Sequence, residues 1–174
     1  MKISALMLVA AVSVGAGACG SEPEAMSVAP VPESAVALAG RLEPAARTAL
    51  KTVPGGTLTS IETEGPGWEV QVVTADGTEH ELMVSANGDR AVRNDVKREG
   101  PAGKDEHRKR VKAAKLDYRA AANQMHSAVP NSSIAELNLD TYRGTTVWEG
   151  DLEDSGGAKR EVKIDAASGK VLIS

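Results

Sequence analysis

Trp68-Glu69-Val70-Gln71-Val72 returns eighty residues on as Trp148-Glu149-Gly150-Asp151-Leu152, and these are the only two tryptophans in the chain. Alternation in the first pentapeptide puts Trp68, Val70 and Val72 on one face and polar groups on the other, as in a half-buried strand. At the same offset Glu81-Leu82-Met83-Val84 returns as Glu161-Val162-Lys163-Ile164. Upstream the offset becomes 76: Leu58 and Ile61 match Ile134 and Leu137. The change places four extra residues in a longer loop around Arg143-Gly144.

Further upstream the period switches. Leu42, Ala45, Ala49 and Val53 form an apolar stripe at helical spacing, and 76 residues later the stripe reads Tyr118, Ala121, Met125 and Val129. Both stripes end in Val-Pro, at Val53-Pro54 and Val129-Pro130. Proline cannot continue a helix and disfavours helix in the residue before it, so both helices stop there. Pro44 suits the first turn of the first helix. Val111, Ala114 and Tyr118 extend the second stripe, so the second helix is expected to begin near Lys104. Asp76-Gly77, Asn87-Gly88, Gly156-Gly157 and Ser168-Gly169 are hairpin signals between the strands.

The expected fold is α+β: two tandem units, each one helix packed on a three- to four-stranded antiparallel sheet. With no Phe and two Tyr, the core rests on aliphatic residues and the two tryptophans. Each indole buries roughly 150–250 Å², worth about 4–6 kcal/mol as an upper bound. Trp68 and Trp148 are therefore read as core anchors rather than ligand platforms.

The N-terminus carries an address. Lys2 precedes the apolar run Ile3–Val12, and Gly15-Ala16-Gly17-Ala18 leads to Cys19, the sole cysteine. A positive start, a short apolar stretch and a small-residue end mark an export signal. The run is about half of the ~20 residues that a spanning helix needs. Ala16-Gly17-Ala18-Cys19 resembles the bacterial lipoprotein box, which implies that Cys19 is acylated with palmitate-type chains and becomes the new N-terminus. An ordinary secretory signal is the alternative, and it leaves the placement of the only cysteine unexplained. Two or more chains hold a protein stably where one does so marginally. The expected organisation is a signal peptide at 1–18, a lipidated N-terminus and Pro-rich tether at 19–41, a first module at 42–93, a linker at 94–103 and a second module at 104–174.

The repeated unit resembles the PepSY domain. The residues carrying the likeness are Ala45, Ala49-Leu50, Val53-Pro54-Gly55 and Trp68–Val72 in the first copy. In the second they are Ala121, Val129-Pro130, Trp148-Glu149 and the closing hairpin Glu161–Leu172. Ser85 stands where the family has a hairpin aspartate, and His126 and Asn131 replace an aliphatic residue and a glycine. The resemblance implies a non-catalytic module of secreted and cell-surface proteins that binds or restrains a peptidase.

Candidate chemistry is sparse. His80-Glu81-Leu82-Met83-Val84 lacks the second histidine of the zinc-protease word and lies on an expected strand. His107 and His126 would sit about 28 Å apart on a single helix and could not share a metal; His126 is expected on the helix surface. No glycine-flanked nucleophile or phosphate loop occurs. Asp151, Glu153 and Asp154 read as a solvated hairpin tip, without the regular oxygen spacing of a calcium loop. No metal, cofactor or catalytic residue is expected, and a net charge of −4 gives no reason to expect nucleic acid. Arg108, Lys112, Lys115 and Arg119 would line one face of a continuous helix, read first as a solvated face and otherwise as a contact for anionic lipid, wall polymer or an acidic protein surface. The expected protein is an extracytoplasmic, membrane-anchored lipoprotein with a protein partner, and no enzyme.

Overall fold

The computed structural model describes residues 42–174; the expected signal peptide, Cys19 and the tether lie outside the described residues. The elements are, in order, α1 (Glu43–Thr52), β1 (Thr57–Glu64), β2 (Gly67–Val73), β3 (Glu79–Val84), β4 (Ala91–Val96), α2 (Pro101–Ala113), α3 (Tyr118–Ala128), β5 (Ser133–Tyr142), β6 (Thr145–Glu153), β7 (Lys159–Asp165) and β8 (Val171–Ile173). The fold is α+β. Two four-stranded meanders join into one antiparallel sheet with the order β4-β3-β2-β1-β5-β6-β7-β8.

The halves match in detail. α1 and α3 bury Ala45, Ala46 and Ala49, and Tyr118, Ala121, Ala122 and Met125. Each ends with a valine whose N–H donates to the carbonyl four residues back, Val53 to Ala49 and Val129 to Met125. The chain then turns through a left-handed residue, Gly55 at φ +76° and Asn131 at φ +61°. Asparagine tolerates that region, so it can stand where the other half has glycine. β1 carries a bulge between Leu58 and Ser60, and β5 carries its counterpart between Ile134 and Glu136. A second pair of bulges falls between Met83 and Val84 and between Lys163 and Ile164.

Ile61 pairs directly with Leu137, its own counterpart. Antiparallel pairing of equivalent residues places a local two-fold axis between them, at the centre of the sheet. Under the helices lie Leu58, Ile61, Val70, Val72, Leu82 and Val84 from one half and Leu137, Leu139, Leu152, Val162 and Ile164 from the other, all at most 2% exposed. Burying this apolar surface is the principal force that holds the helices on the sheet.

Two expectations need correction. The four extra residues of the second half do not enlarge a loop. They add two cross-strand pairs, Thr141 with Thr146 and Tyr142 with Thr145, beneath a two-residue turn. Arg143 at φ +51° and Gly144 at φ +81° form that turn, whose twist matches the strands. The second helix is also not continuous. α2 ends at Ala113, Ala114 is extended at ψ 129°, and α3 starts afresh with Asp117 as its cap, accepting from Ala120 N–H at 2.9 Å. That cap satisfies a donor that a new helix would otherwise leave unpaired.

Candidate functional site

The break between α2 and α3 shapes one recess. The N–H groups of Lys115 and Leu116 both donate to Ala166 O, at 2.9 and 3.0 Å. Leu116 O accepts from Trp148 Nε1 at 3.0 Å, so the buried indole helps hold the chain out of helical conformation. A cavity of about 350 Å³ opens beside it, with an apolar floor that includes Leu50, Leu58 and Leu139 and with Lys115 and Arg119 on its rim. Tyr118 Oη donates to Glu43 at 3.1 Å, and Arg119 forks onto the same carboxylate at 2.7–3.2 Å. Burial, reinforced by the Glu43 charge, pushes the Tyr118 hydroxyl up to about 12. It therefore stays a proton donor at neutral pH.

The four cations expected on one helical face are dispersed. Arg108 lies on α2, where it pairs with Asp105 and donates to the Asp76 carbonyl. Lys112 is exposed on the last turn of α2, Lys115 lies in the break, and Arg119 belongs to α3 and is engaged by Glu43. A continuous helical row does not form, because the helix carrying Arg108 and Lys112 ends at Ala113 and the one carrying Arg119 begins at Tyr118.

α2 is a polar helix seated at one end of the sheet face opposite α1 and α3. His107 is its only buried side chain. The ring lies between Glu99, 2.8 Å from Nε2, and Glu79, 3.6 Å from Nδ1. Arg110 reaches Leu139 O at 3.3 Å and Asp140 at 3.5 Å, while Lys104 bonds Thr78 Oγ1 at 2.6 Å and Asp76 at 3.2 Å. Val111 packs against the core, but a helix with so little apolar surface is held largely by these charge-assisted bonds.

Beyond α2 this face carries a line of carboxylates set by register. Glu69 pairs with Glu62, Glu62 with Glu136 across the central seam, Glu136 with Asp151, and Asp151 with Glu161. Like charges directly opposite one another repel. Burial first, and then Glu136 and Glu69, raise the Glu62 carboxyl above its ordinary range. Burial, then Asp151 and Glu149, raise Glu136. Burial and Glu81 raise Glu69. Lys163 on this face is a buried cation, held between Glu149, at 2.5 Å, and Glu161. Within a strand acids can fall at alternate positions, as Glu149, Asp151 and Glu153 do in β6, but only the cross-strand register lines them up.

Trp148 is 1% exposed and Trp68 7%, and Trp68 Nε1 reaches Ala86 O at 3.4 Å. His80 lies on β3 against Asn94 at 3.1 Å. His126 is half-buried rather than on the helix surface: its Nε2 is shielded from solvent without a hydrogen-bond partner, and burial pushes its pKa down. Asp154 caps its own hairpin by accepting from Gly156 and Ala158 N–H groups. Among the described residues no three His, Cys, Asp or Glu side chains are grouped to hold a metal ion, and no helix is long and apolar enough to cross a membrane.

Residues 115–172 match the family model described as PepSY, peptidase propeptide and YPEB domain. The match spans α3 and the second meander. No curated protein matches the chain. Among solved structures, a protein of Clostridium difficile 630 provisionally described as a lipoprotein aligns with a TM-score of 0.48 and 14% identity, over 74% of this chain and 87% of that one.

Proposed function

We propose that the chain is a non-catalytic, lipid-anchored module on the extracytoplasmic face of the cell membrane, where it binds another envelope protein and modulates it, with a peptidase as the leading candidate. The observation that carries this reading is the match of residues 115–172 to a family described by its peptidase propeptides. The first half shares the bulges, the valine-ended helix and the strand register of the matched half, and we read it as a diverged second copy. Cys19 supplies the anchor in this reading, and residues 20–41 the spacer.

The three histidines sit in structural surroundings. His107 is held by two carboxylates, His80 by an asparagine, and His126 is shielded. None is placed against a serine, threonine or cysteine nucleophile in these contacts. The alternative, a lipoprotein gripping anionic lipid or wall polymer through Arg108, Lys112, Lys115 and Arg119, would need those exposed cations to act from two helices and the break between them.

Two measurements test the proposal. In-cell cross-linking followed by affinity purification of the lipidated chain should enrich a specific envelope protein; enrichment of nothing beyond a tag-only control contradicts partner binding. Cys19→Ala should move the chain from the detergent phase to the aqueous phase of a membrane extract. An unchanged partition contradicts the anchor.

A further inference from the structure

The local two-fold axis relates two grooves on the open face of the sheet, and only one of them is filled by a described element. In the filled groove α2 sets His107 and Arg110 against Thr59, Gln71, Glu79 and Asn138, leaving a gap of about 30 Å³. The 76- and 80-residue offsets carry Thr59 to Ala135, Gln71 to Asp151, Glu79 to Lys159 and Asn138 to Glu62. Those four counterparts, joined by Glu136 and Glu153, line a cavity of about 360 Å³. The cavity is the symmetry mate of the seat of α2, and no described helix or strand packs over it.

We infer that this second groove is a docking site for a helical segment of a partner protein carrying basic side chains one helical turn apart, as α2 presents His107 and Arg110 three residues apart. The filled groove shows what such a seat accepts: a polar helix whose Arg110 reaches Leu139 O and Asp140 and whose His107 ring meets Glu79. The open groove is more acidic than its mate, because Glu62 and Asp151 stand where the other has Asn138 and Gln71. Lys159 is the one cation on its wall. The seam pairing of Glu62 with Glu136 is a repulsion that an incoming cation would relieve. By position in the repeat, residues 25–37 of this chain correspond to α2, but residues 20–40 contain three glutamates and no Lys, Arg or His. Their charge has the wrong sign, so the occupant comes from another molecule.

This inference names the surface used by the protein partner and rests on that reading. The probe is a fluorescent alanine-rich helical peptide with lysines at i, i+3 and i+7, titrated against the full-length lipidated chain in detergent micelles. It should bind, and carbodiimide coupling should join its lysine amines to Glu62, Glu136 or Asp151 with loss of water. Glu136→Gln should weaken binding about tenfold while raising folding stability, so the loss is not unfolding; Glu106→Gln, which removes the same charge from the outer face of α2, should change it less than twofold.

Equal loss in both variants, cross-links confined to other carboxylates, no binding at millimolar peptide, or spermidine binding as tightly as the peptide would overturn the inference. Failure here is separable from failure of the functional reading. A partner recovered equally well by Glu136→Gln condemns the groove alone, whereas a peptide that docks while no envelope partner is found condemns the reading alone.

Discussion

The two halves fill the same space beneath their helices with opposite choices of residue. α3 places Met125 against Gly150 of β6, and at the equivalent positions of the repeat α1 has Ala49 and β2 has Val70. All three side chains are fully buried. A Cβ built on Gly150 would meet the Met125 sulfur and lie 2.9 Å from its terminal methyl. Gly150→Val alone should therefore overpack the second half, at about 1–3 kcal/mol, partly offset by the better strand propensity of valine. Met125→Ala alone should leave a cavity and cost about 2–5 kcal/mol. The double variant recreates the Ala49–Val70 arrangement and should cost under about 1 kcal/mol. The coupling between the sites would then be at least about 2 kcal/mol, well above the scatter expected of independent positions. Urea unfolding of the four proteins, with unchanged slopes, measures the cycle. Additive losses would refute the argument, because they would mean that α3 does not sit on β6 as α1 sits on β2.

Two further outcomes follow from charge. Glu62, Glu69 and Glu136 have folded-state pKa values above their ordinary ones, so the folded chain takes up protons more readily than the unfolded chain and stability should rise as pH falls from 7 toward their titration range. At lower pH the trend should reverse, as Asp154 and Asp165 lose the backbone N–H bonds that hold them below the usual carboxylate range. Melting temperature against pH, with Glu136→Gln flattening the rise, checks this; a steady decline from pH 7 would contradict it. His107→Ala removes the buried ring between Glu79 and Glu99, and should speed amide exchange across residues 101–113 by tenfold or more while leaving β2 and β6 protected. Unchanged exchange in α2 would show that its other bonds hold it.

Much of this architecture was legible in the residue pattern because the signals are local. The four expected glycine turns all carry a glycine at positive φ: Gly77, Gly88, Gly157 and Gly169. Both Val-Pro stops end their helices, and the tryptophan words lie on matching strands. The helix break was hidden because Val111, Ala114 and Tyr118 keep helical spacing through it. What stops the helix is tertiary: the Ala166 carbonyl and the Trp148 indole, both distant in sequence, claim the backbone of residues 115–116. The seat of α2 was equally hidden, since an apolar stripe is the usual sign of a docked helix and this one docks by charge. The carboxylate line needed the register of five strands, which alternation within each strand does not fix.

The union of the two halves through β1 and β5 underlies both the repeat and the symmetry-related grooves. Native-state hydrogen exchange tests it most directly. The account predicts that the protected amides around Ser60–Glu62 and Glu136–Asn138 exchange only through global unfolding, in one transition shared by both halves. Rapid exchange at that seam, with the two meanders opening at separate free energies, would contradict it.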